Sequence, residues 1–158
     1  MARPRRLDSF DYRGPHVYFL TFCLRARSPH FADPGVVRRA ESQILRTARE
    51  RDFEMLAYTF MPDHCHLLVQ GTTDEADLRR FVQIARQRVT FALNRGRLWQ
   101  DGYFERTLRR DEDAQTVARY IADNPVRKAL VERAADWPHS GGVLLDALWG
   151  ATCRTRPT

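Results

Sequence analysis

A chain of 158 residues with 43% hydrophobic side chains is long enough to bury its own core, which excludes a disordered chain or one that depends on staples. The formal net charge is +6, and Lys128 is the only lysine among 26 cationic residues; arginine's planar fork suits phosphate oxygens, so a polyanionic partner is expected. No apolar run is long enough for a membrane span, the basic start MARPRR has no apolar segment behind it, and Cys23, Cys65 and Cys153 form no CxxC pair; the reading is a cytoplasmic protein with no membrane partner and no disulfide framework. A codon bias would explain arginine over lysine, but not the net excess of cations.

Residues 1–15 read as a basic arm and 16–145 as one folded domain, with 146–158 as a polar tail. HVYFLTFCLRA, from His16, is β-branched and aromatic and predicts a first strand. VVRRAESQILRTARE places Val37, Ala40, Ile44, Leu45 and Ala48 on one helical face. FEMLAYTF predicts a second strand, and MPD turns the chain into a third, HCHLLVQ. The segment TTDEADLRRFVQIARQRVTFALNRG predicts a long helix, capped within Thr72 to Asp74 and closed at Gly96. YFERTL predicts a fourth strand, and DEDAQTVARYIADN a third helix that Pro125 stops by biasing Asn124 out of the helical region. One more short helix is expected in PVRKALVERAADWPHSGG. The order fits an α+β, ferredoxin-like βαββαβ antiparallel sheet with helices on one face, plus a C-terminal helix that carries Tyr120.

In HCH, the period of a strand sends His64 and His66 out of the same face and Cys65 out of the other. Two neutral imidazoles on one strand are a pair of candidate metal ligands; the other reading is two histidines on a half-exposed strand face. A third ligand must come from elsewhere, and Asn124, whose amide oxygen suits magnesium or manganese, is one candidate. Tyr120 lies four residues before Asn124, on the same helical face. Its phenol is a weak nucleophile unless a cation polarises the electrophile, and it reads equally as an ordinary half-buried tyrosine.

MPDHCHLLVQ resembles the His-hydrophobic-His signature of the HUH nucleases. YFLTFCLRARSPHF before it, WQDGYFERTLR after it, and YIADNPVRKALV followed by WPHSG resemble, in order and spacing, the REP-associated tyrosine transposases, over about residues 12–141. The resemblance implies a ferredoxin-like fold with both histidines on a central strand. It implies a divalent metal, Mg2+ or Mn2+, at His64 and His66, with Asn124 as third ligand where other branches carry glutamine. It implies attack by Tyr120 on a DNA phosphodiester, giving a 5′-phosphotyrosine link and a free 3′-hydroxyl. Cys65 departs from the larger aliphatic residue usual between the histidines; as a small buried hydrophobe it should leave activity intact.

The expected function is therefore a metal-dependent endonuclease and strand transferase of single-stranded DNA, cutting beside hairpin-forming palindromic repeats. The alternatives are the transposase of a mobile insertion sequence and a catalytically idle hairpin-binding protein. Phosphate contacts are expected from Arg3, Arg5 and Arg6 on the arm and from Arg79, Arg86 and Arg97 on or after the long helix, although a solvated helix face explains such arginines as well. A monomer is expected, with a homodimer as the alternative.

Overall fold

The computed structural model describes residues 11–150. Strands β1 (Val17–Cys23), β2 (Phe53–Met61), β3 (His64–Gly71), β4 (Phe104–Thr107) and β5 (Ser140–Gly141) form one antiparallel sheet in the order β4-β1-β3-β2-β5. The first four in that order are the ferredoxin-like arrangement, with β3 at the centre and its histidines near one end. Helices α1 (Pro34–Glu50) and α2 (Leu78–Leu93) cover one face of the sheet. Helices α3 (Ala114–Ala122) and α5 (Val143–Trp149) cover the other, and α4 (Asn124–Arg127) is a single turn that follows α3.

The pleat of the strands explains the two layers. Tyr18, Leu20 and Phe22 of β1 and Cys65, Leu67 and Val69 of β3 are buried against Val37, Ala40 and Ile44 of α1 and Phe81, Ala85 and Val89 of α2. On the reverse face Leu68 and Ala57 meet Val117, Ala118, Ile121 and Leu145. A β-bulge between Met55 and Ala57 inserts Leu56 and changes the phase of β2. Tyr58 and Phe60 thus stay in the first core, while Thr59 turns to the second face.

Several element ends differ from the sequence reading. Asp77, and no residue of Thr72 to Asp74, caps α2, by accepting from the Arg80 amide at 3.1 Å. The preceding segment cannot be helical because it is pinned to the start of the domain: Gly14 N–H donates to Ala76 O, and Leu78 N–H to Tyr12 O. Asn94, left-handed at φ 50°, closes α2 two residues before Gly96. Pro125 does not expel Asn124 from helical structure; it occupies the first turn of α4, where its missing N–H costs nothing, and the break falls at Asp123.

Both domain boundaries also move. Tyr12 is buried in the first core, so the packed domain takes in residues placed in the arm. The boundary at 145/146 falls inside α5, whose Leu145 is fully buried. Gly142 caps that helix at φ 108°, and a Cβ there would lie 2.6 Å from the Ala57 backbone, so only glycine lets the chain return this close to β2. Among the described residues no helix is long and apolar enough to cross a membrane.

Candidate active site

His64 and His66 leave β3 on the face covered by α3, and their Nε2 atoms lie 3.2 Å apart. Each ring is gripped at its other nitrogen. Asp63 Oδ1 accepts from His64 Nδ1 at 2.6 Å, and Thr21 Oγ1 bonds His66 Nδ1 at 2.8 Å. Register explains the second grip: Thr21 on β1 and Thr59 on β2 sit directly opposite His66 on either side. Thr59 is itself tied down, accepting from Ser140 Oγ at 2.8 Å. The Phe19 ring stacks on His66 with centroids 5.5 Å apart. Arg27 completes the support: its Nε donates to Asp63 Oδ2 at 2.8 Å and its Nη1 to Cys23 Sγ.

Electrostatics keep both rings neutral. Burial, with the charges of His64, Arg127 and Arg27, lowers the His66 pKa to about 3. Burial also lowers that of His64, against the pull of Asp63. Burial raises the Asp63 carboxyl, but the His64 hydrogen bond and the charges of His64 and Arg27 outweigh it and hold the group below its usual range. An ionised carboxylate on Nδ1 fixes the His64 tautomer with its Nε2 lone pair free.

These donors fit a divalent ion. Bonds of about 2.0–2.2 Å to neighbouring ligands imply nitrogens about 2.9–3.5 Å apart, which brackets the observed separation. Among the described residues no group of three His, Cys, Asp or Glu side chains comes together, so a third protein ligand must be another oxygen. Asn124 offers one. It is only 8% exposed, and its amide nitrogen is buried with no hydrogen-bond partner. No hydrogen bond joins it to either histidine among the described residues; α4, which carries it, packs against β2.

Tyr120 is 52% exposed near the end of α3. The Arg127 guanidinium lies 4.1 Å from its ring centroid and donates from Nη2 to its carbonyl at 3.0 Å. The charge of Arg127 is felt at His66, and that of Lys128 at His64. The tyrosine end of α3 and the turn α4 therefore bring positive charge towards the histidine pair.

The arginines expected to hold DNA are placed differently. Arg86 is committed to the fold: it donates to Gln100 O at 2.7 Å and Gly102 O at 3.1 Å, and lies over the Trp99 ring. Two of its N–H groups and the face of its guanidinium are thus taken up by the fold. Arg79 stacks on Tyr12, and Arg97 pairs with Asp101 at 3.2 Å. Arg79 and Arg86 belong to α2, across the sheet from the histidines. Arg3, Arg5 and Arg6 lie outside the described residues. Cys65 points into the first core, fully buried, and burial pushes its thiol pKa up, so it is not a ligand. Sequence reasoning missed Thr21, Asp63, Arg27 and Arg127. Asp63 and Arg127 stand next to recognised motif residues, which was a signal; Thr21 and Arg27 approach only through strand register and a turn.

Comparison with known proteins follows the same lines. Residues 15–124 match the family described as Transposase IS200 like. A candidate REP-associated tyrosine transposase of Haemophilus influenzae is 29% identical over 146 residues, covering 82% of this chain and 81% of that protein. The REP-associated tyrosine transposase of Escherichia coli K12 is 28% identical over 136 residues, with the same coverage. Among solved structures, a REP-associated tyrosine transposase bound to a REP hairpin superposes with a TM-score of 0.75 at 26% identity, covering 89% of this chain and 82% of that one.

Proposed function

The chain belongs to the IS200-like transposase family, as one of its REP-associated tyrosine type, and from that premise we propose that it cuts single-stranded DNA beside a hairpin through a covalent tyrosine intermediate. The observation that carries this reading is the pair of Nε2 atoms 3.2 Å apart on the sheet face that α3 covers, with Tyr120 exposed on that same helix. The hairpin as ligand is drawn from the solved relative that holds one.

His64, His66 and the Asn124 amide oxygen would hold a magnesium or manganese ion, which when bound would polarise the scissile phosphate as a Lewis acid. Asp63 and Thr21 keep the two imidazoles aimed. Burial keeps the His66 ring unprotonated at neutral pH. Tyr120 supplies the nucleophile: its Oη forms a bond to phosphorus as the P–O3′ bond breaks. The phenol proton passes to solvent and the 3′ oxygen leaves as a hydroxyl, so the exchange of esters is balanced. The downstream strand is then linked to the protein by its 5′ phosphate. Histidines and tyrosine come from one chain, and a monomer is the assembly we infer.

The test uses hairpin oligonucleotides with single-stranded flanks, drawn from palindromes neighbouring the gene and labelled at either end. On a denaturing gel, protein should travel with the 5′ end of the downstream fragment. Tyr120→Phe, which removes only the hydroxyl, should bind the hairpin and form no adduct. Cleavage by the Phe variant at the normal rate would place the nucleophile elsewhere.

A further inference from the structure

The Tyr120 ring is half exposed, and its hydroxyl has no hydrogen bond among the described residues. In-line attack needs the phenol held in one orientation, and half exposure alone does not hold it. One residue holds it. The Arg127 guanidinium stacks on the ring at 4.1 Å, well inside the reach of a cation–π contact, and donates to the Tyr120 carbonyl at 3.0 Å. That two-point grip bridges the break at Asp123 between α3 and α4.

Arg127 also differs, in what it leaves open, from the arginines that ion pairs tie down. Arg27, Arg88, Arg97, Arg106 and Arg133 each pair with a carboxylate. Arg127 is exposed and has no carboxylate partner among the described residues. A guanidinium carries five N–H donors, and a single carbonyl occupies one of them. It ends α4, the turn that follows the tyrosine helix and packs against β2, the strand paired with the histidine strand.

We propose that Arg127 positions Tyr120 for attack and presents its open N–H groups to the scissile phosphate. The stack fixes the ring, and the free edge of the fork meets the non-bridging oxygens as their charge grows in the transition state. Lysine would keep the charge but lose the plane that covers the ring.

This role rests on Tyr120 being the nucleophile, and the experiment separates the two. Single-turnover adduct formation is measured with manganese and saturating hairpin oligonucleotide, for wild type, Arg127→Met, Arg127→Lys and Tyr120→Phe. Hairpin affinity, manganese affinity without DNA and thermal midpoint are measured on the same proteins. Arg127→Met should slow adduct formation about 100-fold, the scale set by loss of one transition-state donor. Its hairpin and manganese affinities and its thermal midpoint should stay close to wild type. Arg127→Lys should recover part of the rate. Adduct formation by Arg127→Met within threefold of wild type, beside an inactive Tyr120→Phe, overturns the role of Arg127 alone. A rate loss matched by equal losses in hairpin or manganese affinity, or a lysine variant no faster than methionine, reduces Arg127 to a structural staple and also overturns it. A wild-type protein that forms no adduct overturns this role together with the proposed function.

Discussion

Replacing Asp63 tests how His64 is aimed. The carboxylate accepts from His64 Nδ1 at 2.6 Å and is held from its other side by Arg27 at 2.8 Å. Asn at this position keeps an acceptor oxygen but loses the charge that makes the imidazole a stronger donor to a metal. It also leaves Arg27 without its counter-charge, so a cation at the site would face an extra positive neighbour. Ala removes the acceptor as well and frees the ring to turn. Loss of such outer partners weakens metal binding by about 10- to 100-fold, or about 1.4–2.7 kcal/mol. Asp63→Asn belongs at the lower end, since the hydrogen bond survives, and Asp63→Ala at the upper. The assay is a manganese titration of the DNA-free protein, with free ion followed by electron paramagnetic resonance, and His64→Ala as the reference for a lost ligand. If both Asp63 variants bind manganese like the wild type while His64→Ala does not, the carboxylate does not aim the ring and the reasoning fails.

The remaining expectations rest on other parts of the site. The folded pKa of His66, about 3, lies below its ordinary 6.5, so the unfolded chain takes up this proton first. Stability from this group is therefore complete above pH 6.5 and drains as pH falls towards 3, at up to about 1.4 kcal/mol per pH unit. In chelator, His66→Gln should show a shallower fall in unfolding free energy between pH 6.5 and 4.5, and equal slopes would refute the depressed pKa. Arg86→Ala should lower stability by about 2 kcal/mol, because two carbonyls lose a charged donor, while the salt dependence of hairpin binding stays unchanged; a shallower salt slope would return Arg86 to the DNA interface. Asn124→Ala should slow cleavage less than His64→Ala or His66→Ala, since water replaces one oxygen ligand; single-turnover rates that rank the other way would make the amide more than a ligand. The same repeat annealed as a full duplex should not be cut, because extruding each nucleotide costs a few kcal/mol, and equal cutting of duplex on a gel would point to a hydrolytic nuclease.

How much of this was legible depended on whether a feature is local in the chain. The shared face of His64 and His66, and the opposite face of Cys65, follow from the two-residue period of a strand. The order of the four main strands and their two crossover helices follows from periodicity in the same way. The grip of Thr21 on His66 could not be read, because it depends on which residue of β1 pairs with which residue of β3. The carbonyl bonds of Arg86 were hidden for a related reason. Its helical position marked it as a polar face, and only the return of residues 100–102 over α2 turns that face inward. Strand β5 has two residues and α5 seven, too short for a period to declare itself, yet together they fix Ser140 beside Thr59 and Leu145 in the second core.

The bulge in β2 shows why a site of this kind depends on irregular structure. Without the bulge, unbroken alternation along the same residues from Phe53 and Met55 would send Thr59 into the first core as well. Tyr58 and Phe60 would then face α3, and a one-residue change of phase would put an aromatic wall where the polar row now runs. With the bulge, Thr21, His66, Thr59 and Ser140 line up across four strands on one face. The first core keeps its aromatic packing, and the second face acquires a row of small hydroxyls around a buried imidazole. The fold thus separates the two: one face of the sheet carries the larger core, and the other sets the histidine pair beside the smaller one.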